Sequence, residues 1–127
     1  MEEYKVTLRK LAVRDDRFID ALLSEEHANA TLAGMDPRSH ALVRIGALIA
    51  LDAGPPSYMS AVERGLEAGA SYDEIVGTLI AVIPIVGIAR VVSAAPKLAL
   101  ALGYDVADAL EHVGHDHLTE PGTGTAA

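Results

Sequence analysis

One short stretch determines where two neighbouring helices end and begin. Residues 64–80 read RGLEAGASYDEIVGTLI. Gly69 follows a helically spaced apolar segment, where a helix commonly ends in a left-handed residue that glycine adopts without a Cβ penalty. Ser71 and Glu74 match the capping box S-x-x-E, in which each side chain bonds the other residue's backbone amide. The stretch therefore predicts a helix end and a helix start a few residues apart.

Similar signals predict helices along most of the chain. Aspartate favours the position before a helix and proline its first turn, as in Asp36-Pro37. No strand-like alternation interrupts the pattern, so the sequence predicts an all-α fold of about six helices. The predicted helices cover residues 15–31 with Asp15 or Asp16 as cap, 37–51, 56–68, 72 to a break near 82–87 caused by Pro84, 88–102, and 105–112 with Asp105 as cap.

The ends of the chain differ from this helical domain, which we place at residues 15–113. Residues 1–14 lack clear periodicity and predict an irregular N-terminal arm or a short helical turn. Residues 114–127 are rich in polar residues and glycine and predict a disordered tail.

Composition indicates a protein that associates with itself. Half of the residues are hydrophobic and only 4% are aromatic. The second predicted helix is almost entirely apolar after Arg44, which predicts burial on all sides. A chain of this length has more apolar surface than a monomer easily hides, so we expect a homo-oligomer.

Charge and cysteine content exclude several classes of function. The net charge is −8, and an acidic surface repels the phosphates of nucleic acids. The absence of cysteine excludes disulfides, thiolate catalysis and zinc–thiolate sites. The opening residues, MEEYKVTLRK, do not resemble a signal peptide, and we expect a cytoplasmic protein.

The apolar stretch 75–89, IVGTLIAVIPIVGIA, is too short to be a membrane span. A bilayer needs about 20 residues, and Pro84 and Gly87 interrupt these. The stretch predicts a core helix with a break, with Ile75, Val76, Leu79, Ile80 and Ile83 facing inward, and no membrane partner.

Three segments together resemble a known family. They are DPRSHALVRIGALIAL, a glycine-proline break followed by GLEAGASYDEIVGTL, and a glycine at position 87. This pattern, over about residues 30–103, is similar to the carboxymuconolactone decarboxylase family, which includes the alkylhydroperoxidase D-like proteins; G-A-[ST]-x-x-E-I is its most specific part. The resemblance implies an all-helical subunit that forms trimers or hexamers. It also implies a small pocket between the second, third and fourth predicted helices, near a subunit interface.

The residues that carry chemistry in that family are missing. Its peroxidase branch uses C-x-x-C-x-x-x-H, and these positions correspond here to Gly54, Ser57 and Ala61. The relay glutamate corresponds to Ala41 or Leu42. Serine needs an adjacent base to act as a nucleophile, and Ala61 removes the expected one. The resemblance therefore implies a member without thiol peroxidase activity, and the decarboxylase branch also loses its histidine.

His40 and Arg44 are the weak candidates for catalysis. They lie one helical turn apart, on one face of the second predicted helix. Arg44 could bind a substrate carboxylate in two-pronged fashion, or form an ion pair with an acid such as Glu63 or Asp52. His40 could be an acid/base, or a solvated residue of the first helical turn.

A candidate binding pocket comprises Arg44, Ser57, Tyr58 and Arg90. Each residue also has a structural interpretation, namely ion pairing for the arginines, a place in the first turn for Ser57, and core packing for Tyr58. No cofactor is predicted. The histidine-rich segment containing His112, His115 and His117 matches no metal-site spacing that we can defend, so we predict no metal.

Three functions remain open from the sequence. The first is an oligomeric protein without thiol chemistry that binds a small molecule or a partner protein. The second is a lyase or isomerase acting on a small carboxylated lactone-like substrate, with Arg44 as anchor and His40 as acid/base. The third is a structural subunit of a larger assembly.

Overall fold

The chain folds entirely into helices over the residues that the structure describes. These are residues 2–24 and 26–119 of a computed structural model, with side chains described for 2–24 and 28–112. They contain eight helices and no strand, which confirms the all-α prediction. The helices are α1 (Glu3–Ala12), α2 (Asp16–Ser24), α3 (Glu26–Ala33), α4 (Pro37–Ala50), α5 (Pro55–Glu67), α6 (Tyr72–Val86), α7 (Ile88–Ala101) and α8 (Val106–Thr119).

The chain divides into two compact units, Met1–His40 and Ala41–Ala127. The first unit begins with α1, a helix of 10 residues where the sequence predicts an irregular arm or a short turn. Asp15 caps α2, because its Oδ1 accepts a hydrogen bond from the Phe18 amide at 3.0 Å. The predicted helix over residues 15–31 is present as two helices, α2 and α3. None of the described side chains in this unit is buried.

The second unit contains the buried core, which α4, α5, α6 and α7 build together. These helices meet around Gly65, where a Cβ would lie 3.6 Å from Ile75 Cδ1 and 3.7 Å from Ile45 Cδ1, at ordinary van der Waals distances. Burial of such aliphatic side chains is the main stabilising contribution to a fold of this kind. The buried residues are Ala41, Ile45, Ile49, Tyr58, Val62, Ala70, Ile75, Leu79, Ala94 and Leu98.

The junction between α5 and α6 has the predicted form. Gly69 adopts φ +93°, and the amides of Ala70 and Gly69 bond the carbonyls of Gly65 and Leu66 at 2.9 and 3.1 Å. This is the Schellman arrangement at a helix end. The capping box follows, with the Ser71 amide 2.9 Å from Glu74 Oε1 and the Glu74 amide 3.0 Å from Ser71 Oγ.

Two predictions about burial are wrong. Helix α4 is buried only along Ala41, Ile45 and Ile49, while Val43 is exposed. In α6, Val76 and Ile80 point outward rather than into the core. The reason is that these helices have neighbours within the unit on only part of their circumference, so an all-apolar helix leaves a large apolar surface uncovered.

The break after Pro84 lies at Gly87. Helix α6 continues through Pro84 to Val86, and α7 begins one residue after Gly87, which has φ +90°. Among the described residues, no helix combines the length and the hydropathy that crossing a membrane requires. The apolar stretch 75–89 is therefore two helices joined at a glycine.

The segments predicted at the C-terminus are only partly described. Asp105 caps α8, since its Oδ1 accepts a hydrogen bond from the Asp108 amide at 3.1 Å. Helix α8 continues past residue 112, where we predicted its end, to Thr119. Residues 120–127 of the predicted tail lie outside the described residues.

Gly65 within α5 and Gly69 just beyond the end of α5 provide a matched test of the junction. We expect Gly69→Ala to lower the free energy of unfolding by about 1–2 kcal/mol, because alanine must adopt a left-handed conformation. Gly65→Ala should instead raise it by up to about 1 kcal/mol, because its Cβ meets only ordinary contacts and alanine favours a helix. Urea unfolding measures both changes. Effects of the same sign would contradict the assignment of Gly69 as the helix end.

Candidate functional site

The candidate site is an apolar groove between α4 and α6, within the second unit. Its volume is about 500 Å³. Pockets that bind small molecules have volumes of roughly 300–1,000 Å³ and mostly apolar walls. The residues that line it are Leu42, Val43, Gly46, Glu74, Gly77, Thr78, Ala81 and Val82.

The polar groups of the groove already serve the helix that carries them. The Thr78 hydroxyl donates to the Ile75 carbonyl oxygen at 2.6 Å, which is a bond within α6. The Glu74 carboxylate accepts the Ser71 amide in the capping box. The lining therefore offers a ligand mainly apolar contact, and its one carboxylate disfavours an anion.

The two glycines of the groove play different roles. A Cβ at Gly46 would lie 3.5 Å from Val82 Cγ1, an ordinary van der Waals contact, so Gly46 lies where α4 and α6 meet. A Cβ at Gly77 would meet nothing within 4 Å. Glycine in the middle of a helix costs about 1 kcal/mol relative to alanine, so Gly77 keeps the groove open at the expense of helix stability.

A second polar cluster surrounds Asp52, in the turn between α4 and α5. Its Oδ1 accepts hydrogen bonds from Ser93 Oγ at 2.7 Å and Lys97 Nζ at 3.3 Å, and its Oδ2 lies 3.9 Å from Arg90 Nη1. Lys97 also bonds the Ala53 carbonyl oxygen at 3.1 Å. The hydrogen bond from Ser93, followed by the hydrogen bond and the positive charge of Lys97, lowers the pKa of Asp52 below its ordinary value. The cluster ties this turn to α7.

The predicted catalytic residues occupy different surroundings on α4. His40 Nε2 lies 2.9 Å from Asn29 Oδ1, so the half-buried imidazole is held by α3. Arg44 lies one turn further along on an exposed part of the helix. Neither residue lines the groove.

The other predicted pocket residues also lie away from the groove. Arg90 pairs with Asp52, Ser57 is exposed in the first turn of α5, and Tyr58 is fully buried in the core. Of the positions that the resemblance assigns to chemistry, Leu42 alone lines the groove, while Ala61 packs against the core. The groove is thus formed by α4 and α6, without a residue of α5.

The Tyr58 hydroxyl is buried and has no hydrogen-bond partner among the described residues. Burial raises its pKa above the ordinary value, and the nearby charge of Asp52 acts in the same direction. The ring fills the centre of the core, in agreement with the packing interpretation of its sequence position.

The histidine-rich segment is only partly described. His112 Nδ1 lies 2.9 Å from the Asp108 carbonyl oxygen, within α8. The side chains of His115 and His117 lie outside the described part of the chain. Where side chains are described, no group of three or more histidine and acidic residues could hold a metal ion.

Sequence reasoning missed the groove residues Gly46, Gly77, Thr78 and Ala81. Their signal is weak, because small residues among apolar neighbours do not reveal which face of a helix is covered. Comparison with protein-family models, curated proteins and solved structures finds no match for this chain.

The Asp52 cluster predicts a specific pH dependence. Because the folded pKa lies below 3.8, the stability that it contributes is present above that pH and is lost as pH falls through the folded pKa. Asp52→Asn should therefore flatten the fall in unfolding free energy between about pH 4 and pH 2. Asparagine also tolerates the φ of +54° at this position.

The control is Ser93→Ala, which removes the hydrogen bond that lowers the pKa of Asp52 most. It should flatten the plot of unfolding free energy against pH in part. Urea unfolding across this pH range measures all three chains. Parallel curves for the natural chain and Asp52→Asn would contradict the proposed origin of the pKa shift.

The buried tyrosine predicts an unusual response to loss of a hydroxyl. A buried polar group without a partner costs about 1–3 kcal/mol, so Tyr58→Phe should leave the free energy of unfolding unchanged or raise it by about 1 kcal/mol. The exposed Tyr72 provides a control, since Tyr72→Phe should have no effect. A loss of more than about 1 kcal/mol in thermal or urea unfolding would show that the Tyr58 hydroxyl has a partner.

Proposed function

We propose that this chain is a carboxymuconolactone decarboxylase-like protein that lacks thiol peroxidase chemistry and binds an uncharged, apolar small molecule in the α4–α6 groove. We further propose that it acts in the cytoplasm as a homo-oligomer. The resemblance implies that this oligomer is a trimer or a hexamer. The observation that carries the binding role is the open groove itself, whose walls are apolar and whose polar groups are already bonded within α6.

The helix boundaries support the family assignment. The element G-A-S-x-x-E-I is the most specific part of the resemblance, and its glycine and capping box act in this chain as a helix end and a helix start. The positions that would carry peroxidase chemistry hold Gly54, Ser57 and Ala61. A chain can contain this helix junction without the family's reaction, since function depends on the site rather than on the fold.

The lyase or isomerase function is less well supported. It needs His40 and Arg44 to converge on a carboxylated substrate, yet His40 bonds Asn29 and neither residue lines the groove. Glu74 would also repel a carboxylate from the groove. A binding role therefore agrees better with the described geometry.

A neutral hydrophobic dye such as Nile red tests the groove. We expect the natural chain to bind the dye, and Gly77→Leu to weaken binding by about tenfold or more, because the leucine side chain fills the open space. Ala89→Leu is the matched control, since it adds the same side chain at an exposed position of α7. Fluorescence titration of the purified proteins measures binding.

Equal affinity in both leucine variants, or no binding by the natural chain, would exclude the groove as the ligand site. The same metal-free preparation is expected to turn over no hydroperoxide. Reproducible turnover would overturn the assignment of a protein without peroxidase chemistry.

A further inference from the structure

The polar side chains of the α4–α6 groove can accept hydrogen bonds from a ligand but cannot donate them. The Thr78 hydroxyl has a single hydrogen, which it donates to the Ile75 carbonyl oxygen at 2.6 Å. The Glu74 carboxylate has no hydrogen to donate, and its Oε1 accepts the Ser71 amide at 2.9 Å. Toward a ligand, both side chains therefore act as acceptors.

The backbone of the groove adds no donor. The lining residues of α4, and those of α6 from Gly77 onward, lie inside their helices, where each amide bonds the carbonyl four residues earlier. The amide of Glu74, in the first turn of α6, bonds Ser71 Oγ at 3.0 Å. The other lining residues are aliphatic or glycine. The described residues of the lining thus present acceptors only.

These acceptors lie toward one end of the groove. Helices α4 and α6 meet at Gly46 and Val82, where a Cβ on the glycine would lie 3.5 Å from Val82 Cγ1. Glu74 precedes Val82 by eight residues, which corresponds to about 12 Å along the helix. Thr78 lies one turn after Glu74. The charged acceptor is therefore at the end of the α6 lining that is farthest from this contact.

This polarity selects among uncharged ligands. A polar group that leaves water for the groove loses its hydrogen bonds to water, and only a complementary partner in the groove compensates for them. A hydroxyl or amide N–H finds an acceptor at Thr78 or Glu74, whereas an ether, ester or ketone oxygen finds no donor. Hydrogen bonds to an ionised acceptor are the stronger ones, which favours Glu74.

We infer that the groove binds uncharged compounds that have an apolar body and a hydroxyl or N–H donor at one end, and that it discriminates against compounds whose polar groups only accept hydrogen bonds. The apolar body lies along Gly77, Ala81 and Val82. The donor bonds Glu74 or Thr78. An aliphatic alcohol is the simplest member of this class. The inference rests on the proposed binding role of the groove and adds the polarity of the ligand to it.

Two isomers that differ in this one property test the inference. 1-Octanol carries a hydroxyl donor, whereas methyl heptyl ether has the same atoms and only an acceptor oxygen. Each compound is titrated against Nile red bound to the purified full-length chain, and fluorescence reports displacement of the dye. We expect 1-octanol to displace the dye at a concentration about fivefold lower than the ether, because only the alcohol gains a hydrogen bond to an ionised acceptor.

Variants of the two acceptors locate the origin of this preference. Glu74→Gln preserves the capping box, and its amide NH₂ becomes a donor once its oxygen holds the Ser71 amide. This variant is expected to lose the preference for 1-octanol, and Thr78→Val to reduce it in part. Asp73→Asn is the matched control, since it removes the same charge from an exposed residue outside the groove and should retain the preference. Circular dichroism verifies folding.

The outcomes separate this inference from the binding role on which it rests. Equal displacement by the two isomers, with Gly77→Leu weakening both, would overturn the inference and leave the groove as the ligand site. A preference that persists in both Glu74→Gln and Thr78→Val would also overturn it, as would its loss in Asp73→Asn. If neither isomer displaces the dye and Gly77→Leu leaves dye binding unchanged, the groove is excluded, and the proposed function fails together with the inference.

Discussion

The junction between α5 and α6 is the constraint on which the rest of the second unit depends. Gly69 ends α5 in a left-handed conformation, and the Ser71–Glu74 capping box starts α6 three residues later. These local hydrogen bonds set the direction in which α6 leaves α5. They thereby bring Ile75 and Leu79 into the core and leave the remaining faces of α6 outside it.

Those remaining faces carry the apolar surfaces to which we assign binding. One side of α6 forms the groove with α4, and another carries the exposed Tyr72, Val76 and Ile80. These surfaces offer few polar groups to a partner, because Glu74 is hydrogen-bonded in the capping box and Thr78 is hydrogen-bonded within α6. An uncharged ligand and an apolar helix are the partners that such surfaces favour.

The helix boundaries could be predicted from the sequence because they depend on neighbouring residues. Asp15, Asp36, Ser71 and Asp105 each bond an amide three residues further along the chain. Helix α1 was missed for the converse reason, since no side chain caps its start. The spacing of Tyr4, Leu8 and Leu11 was the remaining signal.

The faces and the site could not be predicted in the same way. Residues 75–89 contain no charged side chain, so nothing in this stretch distinguishes a covered face from an exposed one. Val76 and Ile80 are as apolar as Ile75 and Leu79. Likewise, the bond between Asp52 and Ser93 joins residues 41 positions apart, and sequence patterns carry no information about such a pair.

The central claim is that apolar faces left uncovered within one chain are covered by self-association. The most direct measurement is the mass of the natural chain in solution, by light scattering coupled to size exclusion across a range of concentrations. The account predicts a mass of at least twice the 13.3 kDa of one chain. A monomer that persists at high micromolar concentration would contradict it.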